Sequence, residues 1–96
     1  MAQAEIEVRN PSGLHARPAA EFVRAASGFT SDVRVTNLTR DEARSASAKS
    51  VLGVMGLGVA RGHTVRIDAD GADADAAVST LVDLIAAGLG EEIEDG

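Results

Sequence analysis

Apolar and polar positions alternate in several short stretches of the chain. Ile6 and Val8 stand between Glu5, Glu7 and Arg9, which predicts a half-buried strand with one wet face. Asn10-Pro11-Ser12-Gly13 follows as turn chemistry: proline fixes φ and glycine permits φ > 0. The period then lengthens. Ala19, Phe22, Val23 and Ala26 recur at helical spacing, with Glu21 and Arg24 on the opposite side. Pro18 suits the first turn of that helix, where a missing N–H costs nothing, and Gly28 is a reasonable stop. Val33 and Val35 between Asp32 and Arg34 predict a second strand. The stretch Thr36 to Ala46 is polar and weakly patterned. It reads as a long hairpin with a poor third strand near Ala43 to Ser47.

Ser50 precedes Val51, Leu52, Val54, Met55 and Leu57, a short apolar helix interrupted by glycines. Val65 and Ile67, alternating with Thr64, Arg66 and Asp68, predict the fourth strand, and Asp70-Gly71 turns the chain. Ala74, Val78, Leu81 and Ile85 form the buried stripe of a last helix that Gly88 and Gly90 end. The order is β-α-β-β-α-β-α. Strands apolar on one face favour a four-stranded antiparallel sheet covered on one face by three helices, an α+β open-faced two-layer sandwich. All of 1–96 is expected to be a single domain, with 91–96 a frayed acidic tail.

Composition narrows the functions open to such a domain. The 96 residues carry a net charge of −6, which repels nucleic acid, and Phe22 and Phe29 are the only aromatic residues on which a base could stack. There is no cysteine, so disulfides and thiolate metal sites are excluded. No run reaches the ~18 apolar residues of a membrane helix. The glycines from Gly53 to Gly62 spell neither a dinucleotide fingerprint nor a P-loop. Asp73 with Asp75, and Glu91 with Glu92, read as helix-start and tail charges in water. His63 reads as a solvent-facing residue without function. No metal or cofactor is expected. A deep substrate cavity is hard to build at this size, which favours a small carrier or an interaction module.

His15 stands out within this frame. It precedes a proline-initiated helix, follows a glycine turn and lies two residues before Arg17. A helix N-terminus offers unpaired N–H groups and partial positive charge, which together bind phosphate. Arg17 adds a permanent cation whose fork matches phosphate oxygens. A neutral imidazole is a competent nucleophile near pH 7. From spacing alone, a plain surface or capping role for His15 stays open.

Gly13-Leu14-His15-Ala16-Arg17-Pro18-Ala19 resembles the active-site signature of HPr, the histidine phosphocarrier of the bacterial sugar phosphotransferase system. Lys49-Ser50-Val51-Leu52-Gly53-Val54-Met55 with Leu57-Gly58 resembles that family's second signature. The resemblance covers Glu5 to about Glu91, and the element order agrees with the family fold. It implies that enzyme I, charged from phosphoenolpyruvate, phosphorylates His15 on Nδ1. The group then passes to a IIA domain and on to a sugar, so the chain is a cytoplasmic carrier rather than an enzyme with turnover. Arg17 would steady the phosphate, and the backbone amides of Ala16 and Arg17 would point at it. Ser12 would add an N–H or hydroxyl. Ser50 matches a serine phosphorylated for regulation in some members, which would add a kinase, a phosphatase and transcriptional regulators as partners; as a helix N-cap it also has a structural reason to be serine. Leu14, Val51, Leu52 and Met55 would form the docking surface, with Val54 and Leu57 in the core. The segment 36–48 is longer than in many members. Val35-Thr36-Asn37-Leu38-Thr39 and Gly62-His63 are also similar to carrier domains of the dihydroxyacetone kinase system, so a carrier for that kinase or for a nitrogen-regulatory branch is the alternative within the class. A non-phosphorylated adaptor, or a small-ligand or RNA-binding domain, are the remaining alternatives.

Overall fold

Residues 1–91 are described by the computed structural model. Seven elements run in the order β1 (Ala2–Glu7), α1 (Ala16–Ser27), β2 (Asp32–Asn37), β3 (Ser45–Ser47), α2 (Val51–Gly56), β4 (Thr64–Asp70) and α3 (Ala74–Ala86). The strands form one antiparallel sheet in the order β1-β4-β2-β3. The alternation along each strand sets its register, because a slip by one residue would turn every apolar side chain to the wet face. Thus Ile6 sits opposite Val65, and Val35 opposite both Ile67 and Ala46. On the other face Glu5 pairs with Arg66, and Arg34 with Asp68.

All three helices lie on the apolar face. Helix α1 buries Pro18, Ala19, Phe22, Val23 and Ala26, and α3 buries Ala74, Ala77, Val78, Leu81 and Ile85. Phe22, Ile67, Leu81, Ile85 and Leu89 are among the large, fully buried side chains. Burying each contributes roughly 1.5–3 kcal/mol relative to leaving it in water. The architecture is the α+β open-faced sandwich that the patterning predicts. Among the described residues, no helix is long and apolar enough to cross a membrane.

Three local features differ from expectation. The first strand begins at Ala2, so Val8 lies just past it, held by its N–H to the His63 carbonyl at 2.8 Å. The third strand is shorter, Ser45–Ser47. Asp73 is not a solvated helix-start charge. It precedes α3, but its carboxylate accepts from the N–H groups of Thr30 (2.8 Å) and Ser31 (2.9 Å) and from both their hydroxyls. It therefore staples the start of α3 to the loop before β2. The hydroxyl and amide donors, the Ser31 hydroxyl foremost, hold the Asp73 carboxyl far below the usual carboxylate range. The rest of the expected acidic tail, Glu92 to Gly96, lies outside the described residues.

Candidate functional site

The turn before α1 is built from backbone constraints. Gly13 has φ +58°, and a Cβ there would fall 2.2 Å from the Val59 carbonyl oxygen, so only glycine fits. The Gly13 N–H reaches the Asn10 carbonyl at 3.1 Å, and the Asn10 amide returns to the Gly13 carbonyl at 2.9 Å. Leu14 then donates its N–H to the Val59 carbonyl at 3.0 Å. Its side chain is 0% exposed. This corrects the expectation that Leu14 belongs to a docking surface: the turn drives it into the core, where it anchors the residue that follows.

His15 is the N-cap of α1, with extended backbone (φ −117°, ψ 155°), and its side chain makes no capping bond. The imidazole is therefore left at the surface. Ala16 follows in the left-handed region, φ 47°, which costs a non-glycine residue about 1–2 kcal/mol. Anchored Leu14 on one side and buried Pro18 and Ala19 on the other hold it there. His15, Ala16 and Arg17 are all exposed. The N–H groups of Ala16 and Arg17 fall in the first turn, where no carbonyl of the helix is in reach. They have no other partner among the described residues, nor has the Arg17 guanidinium a hydrogen bond. An imidazole, two free amides, the positive end of a twelve-residue helix and a cation thus share one open surface. The arrangement offers a nucleophile together with donors for the anion that it would acquire.

Ser12 stands beside this group, but both its donors are engaged. Its N–H (3.0 Å) and hydroxyl (2.8 Å) go to the Glu91 carboxylate, which also accepts the Asn10 amide at 2.8 Å. Glu91 is therefore part of the site's frame and not a loose tail residue. The chain returns to this point because Gly88, Leu89 and Gly90 have φ of 96°, 52° and 86° in succession, curling it back from α3. The Gly-Leu-Gly string was the signal in the sequence, readable as a reversal rather than only as an end. The Asn10 amide first, then the two Ser12 donors, lower the Glu91 carboxyl below the usual carboxylate range, with the Arg17 charge assisting.

His63 is half-buried, contrary to the solvent-facing expectation. Its Nδ1 accepts from the Asn37 amide at 3.0 Å and from the Ala60 N–H at 3.1 Å. The Asn37 amide also reaches the Leu57 carbonyl at 3.2 Å. These bonds fix the loop carrying Val59, the residue on which Gly13 and Leu14 rest.

The remaining expected site residues lie on and beside α2. The Ser50 hydroxyl accepts the Gly53 N–H at 3.0 Å, a helix N-cap. Leu52 is 85% exposed and Val51 38%, whereas Met55 is half-buried against the core and Val54 and Leu57 are within it. Leu52 and Val51 are the apolar side chains that α2 presents to solvent. Among the described residues no cluster of three acidic, histidine or cysteine side chains is placed to hold a metal ion.

The fold and this surface define a class: a small sandwich domain that presents an exposed histidine over the anion-binding start of a helix. The family described as the phosphotransferase-system HPr component phosphorylation site matches residues 2–87, and the chain belongs to that family of phosphocarriers. It is 48% identical over 88 residues to a multiphosphoryl transfer protein of Escherichia coli O157:H7, covering 92% of this chain but 23% of that protein. The chain thus spans about a quarter of that relative's length. It superposes on an HPr from Thermoanaerobacter tengcongensis with a TM-score of 0.88 at 44% identity, covering 97% of this chain and 100% of that one. The phosphocarrier protein HPr of Bacillus anthracis gives 0.79 at 34% identity, over 85% of this chain and 93% of that one.

Proposed function

We propose that this chain carries phosphoryl groups on His15 between enzyme I and IIA domains of a sugar phosphotransferase system in the cytoplasm. The observation that carries the reading is the exposed His15 imidazole beside the amides of Ala16 and Arg17, which have no partner among the described residues, and the Arg17 guanidinium. The Nδ1 lone pair attacks the phosphorus of the donor, and the donor group leaves with the electron pair of its bond to phosphorus. The new phosphoryl oxygens meet the two amides and Arg17, whose charge-assisted bonds shorten and strengthen on arrival. Nothing encloses the group, so an acceptor can approach phosphorus from the solvent side and reverse the step. The chain is therefore consumed and regenerated and does not itself turn over a substrate.

Leu52 and Val51 supply the apolar contact for successive partners. Ser50 is proposed as a site of regulatory phosphorylation: its oxygen already accepts an N–H at the start of α2, and a phosphate placed there is electrostatically tolerated. An exposed histidine amid unused donors favours the carrier over a non-phosphorylated adaptor, which has no need of them.

Incubation with phosphoenolpyruvate and a purified enzyme I, read by intact mass, tests the reading. One acid-labile phosphate is expected, absent from folded His15→Ala. Normal acceptance by that variant, or none by the wild type with an enzyme I proven on another carrier, contradicts it.

A further inference from the structure

The hairpin Leu38–Arg44 between β2 and β3 has no part in the site described above. It is nevertheless a built structure. The Asn37 carbonyl accepts the Asp41 N–H at 2.9 Å, and the Asn37 side-chain oxygen accepts those of Thr39 (3.2 Å) and Arg40 (3.3 Å). Asp41 takes the Ala43 N–H on its side chain at 3.1 Å and the Arg44 N–H on its carbonyl at 3.2 Å. Thr39 ties the hairpin to β4 through the Thr64 N–H at 2.8 Å. A loop this thoroughly bonded has a fixed backbone.

What it holds is a cleft of roughly 260 Å³ against the C-terminal turn of α2, lined by Asn37, Arg40, Asp41, Arg44, Gly56 and Leu57. Two glycines let the cations lie close to the backbone. A Cβ on Gly58 would fall 1.8 Å from Arg40 Nη1, and one on Gly56 would lie 3.6 Å from Arg44 Nη2. Yet neither guanidinium has a hydrogen bond or an ion pair among the described residues. The Asn37 side chain beneath them is spent: its amide serves Leu57 and His63, and its oxygen serves Thr39 and Arg40. Two forks of five N–H donors each therefore line one polar cleft with no hydrogen bond made among the described residues, beside the carboxylate of Asp41. One oxygen of the Asp41 carboxylate has its bond to Ala43, and the other has none among the described residues.

We propose that this cleft binds a small hydroxylated phosphate monoester, its phosphate gripped by Arg40 and Arg44 and a hydroxyl donated to Asp41. Guanidinium forks match phosphate oxygens geometrically, and a pair of them selects a dianion over a monoanion. The volume sits below the ~300 Å³ at which pockets for drug-sized ligands begin, which limits the occupant to a few carbons. Asp41, in the same lining, repels a second anionic group and so favours a hydroxyl on the rest of the ligand. The site is independent of His15, whose turn and helix contribute nothing to its lining.

The test is a titration of the full chain with glycerol 3-phosphate, followed in amide correlation spectra to ~20 mM, a range that captures weak binding. Saturable shifts are expected at Thr39–Arg44 and Gly56–Gly58, retained in His15→Ala and weakened at least about tenfold in the Arg40→Ala/Arg44→Ala double variant. Both arginines are exposed, and unchanged shifts elsewhere in the spectrum report that the variant is folded. Inorganic phosphate should bind more weakly than the ester, and glycerol should not bind. The proposal is overturned by the absence of saturable shifts, by shifts confined to Ser12–Arg17, or by equal affinity in the double variant. Equal affinity for inorganic phosphate and the ester would overturn the part given to Asp41.

Discussion

Gly13 and Ala16 both sit at positive φ on either side of His15, and they do different work. Gly13 permits the close approach to the Val59 carbonyl that seats Leu14, and Ala16 turns the chain into α1. Gly13→Ala has to move backbone against backbone in a region that alanine disfavours. It should destabilise the domain by about 2–4 kcal/mol, read as a lower urea midpoint at constant slope. A midpoint within error of wild type would mean that the turn yields more easily than its packing suggests. Arg17→Ala removes no hydrogen bond among the described residues, only the weak surface attraction to Glu91. It should leave the melting temperature unchanged while slowing phosphoryl transfer in rapid-quench experiments by about 10–100-fold, the usual effect of losing one charged donor to a developing anion. At this scale the sequence was legible where chemistry is local. His15, Arg17 and the glycine turn fall within a few residues of each other. Leu14, His63, Asp73 and Glu91 were misread because their partners are distant: Asn10 and Glu91 are 81 positions apart, Thr30 and Asp73 43. Such pairs leave no periodic trace.

Helix α2 is six residues long, too short to be stable by propensity, and depends on its cap and on Val54 in the core. Ser50→Ala removes the acceptor for the Gly53 N–H and should cost about 1 kcal/mol, whereas Ser50→Asp should restore most of it because aspartate caps equally well. Chemical denaturation of both variants checks the pair. Equal loss in both would show that Ser50 contributes something other than the cap. The long elements were readable from their periods. Helices α1 and α3 bury the residues that their stripes name, and β4 runs over the alternation from Thr64 to Asp68 and on to Asp70. The hairpin after β2 was readable in outline, but its internal order was not, because that order comes from the Asn37 and Asp41 side chains bonding to neighbouring amides, which has no hydrophobic signature.

Across the whole molecule, two acidic side chains fasten segments that the sheet and helices leave separate. Asp73 joins the start of α3 to the loop before β2, and Glu91 joins the chain after α3 to the turn before α1. Both carboxyls are lowered in the folded state by hydrogen-bond donors. A lowered folded-state value means that the unfolded chain takes up protons first as pH falls. Their contribution is thus complete above about pH 4–5 and lost progressively on acidification through the depressed values. Stability measured against pH should fall below that point, and Asp73→Asn should flatten the fall. An acid limb of unchanged slope in that variant would remove Asp73 from the account. The one-faced sandwich itself was legible because every strand is apolar on a single side. Its consequence for the carrier reading is that α1 and α2, both on the helical layer, can present His15 and Leu52 to the same partner.

The most direct measurement on the central claim is nuclear magnetic resonance of the phosphorylated chain with nitrogen-labelled histidine. Phosphorus coupled to Nδ1 of His15 is expected, with the largest amide shifts at Ala16 and Arg17 as their N–H groups take up phosphate oxygens. Phosphate on His63, on a serine, or on His15 without any change at those two amides would contradict it.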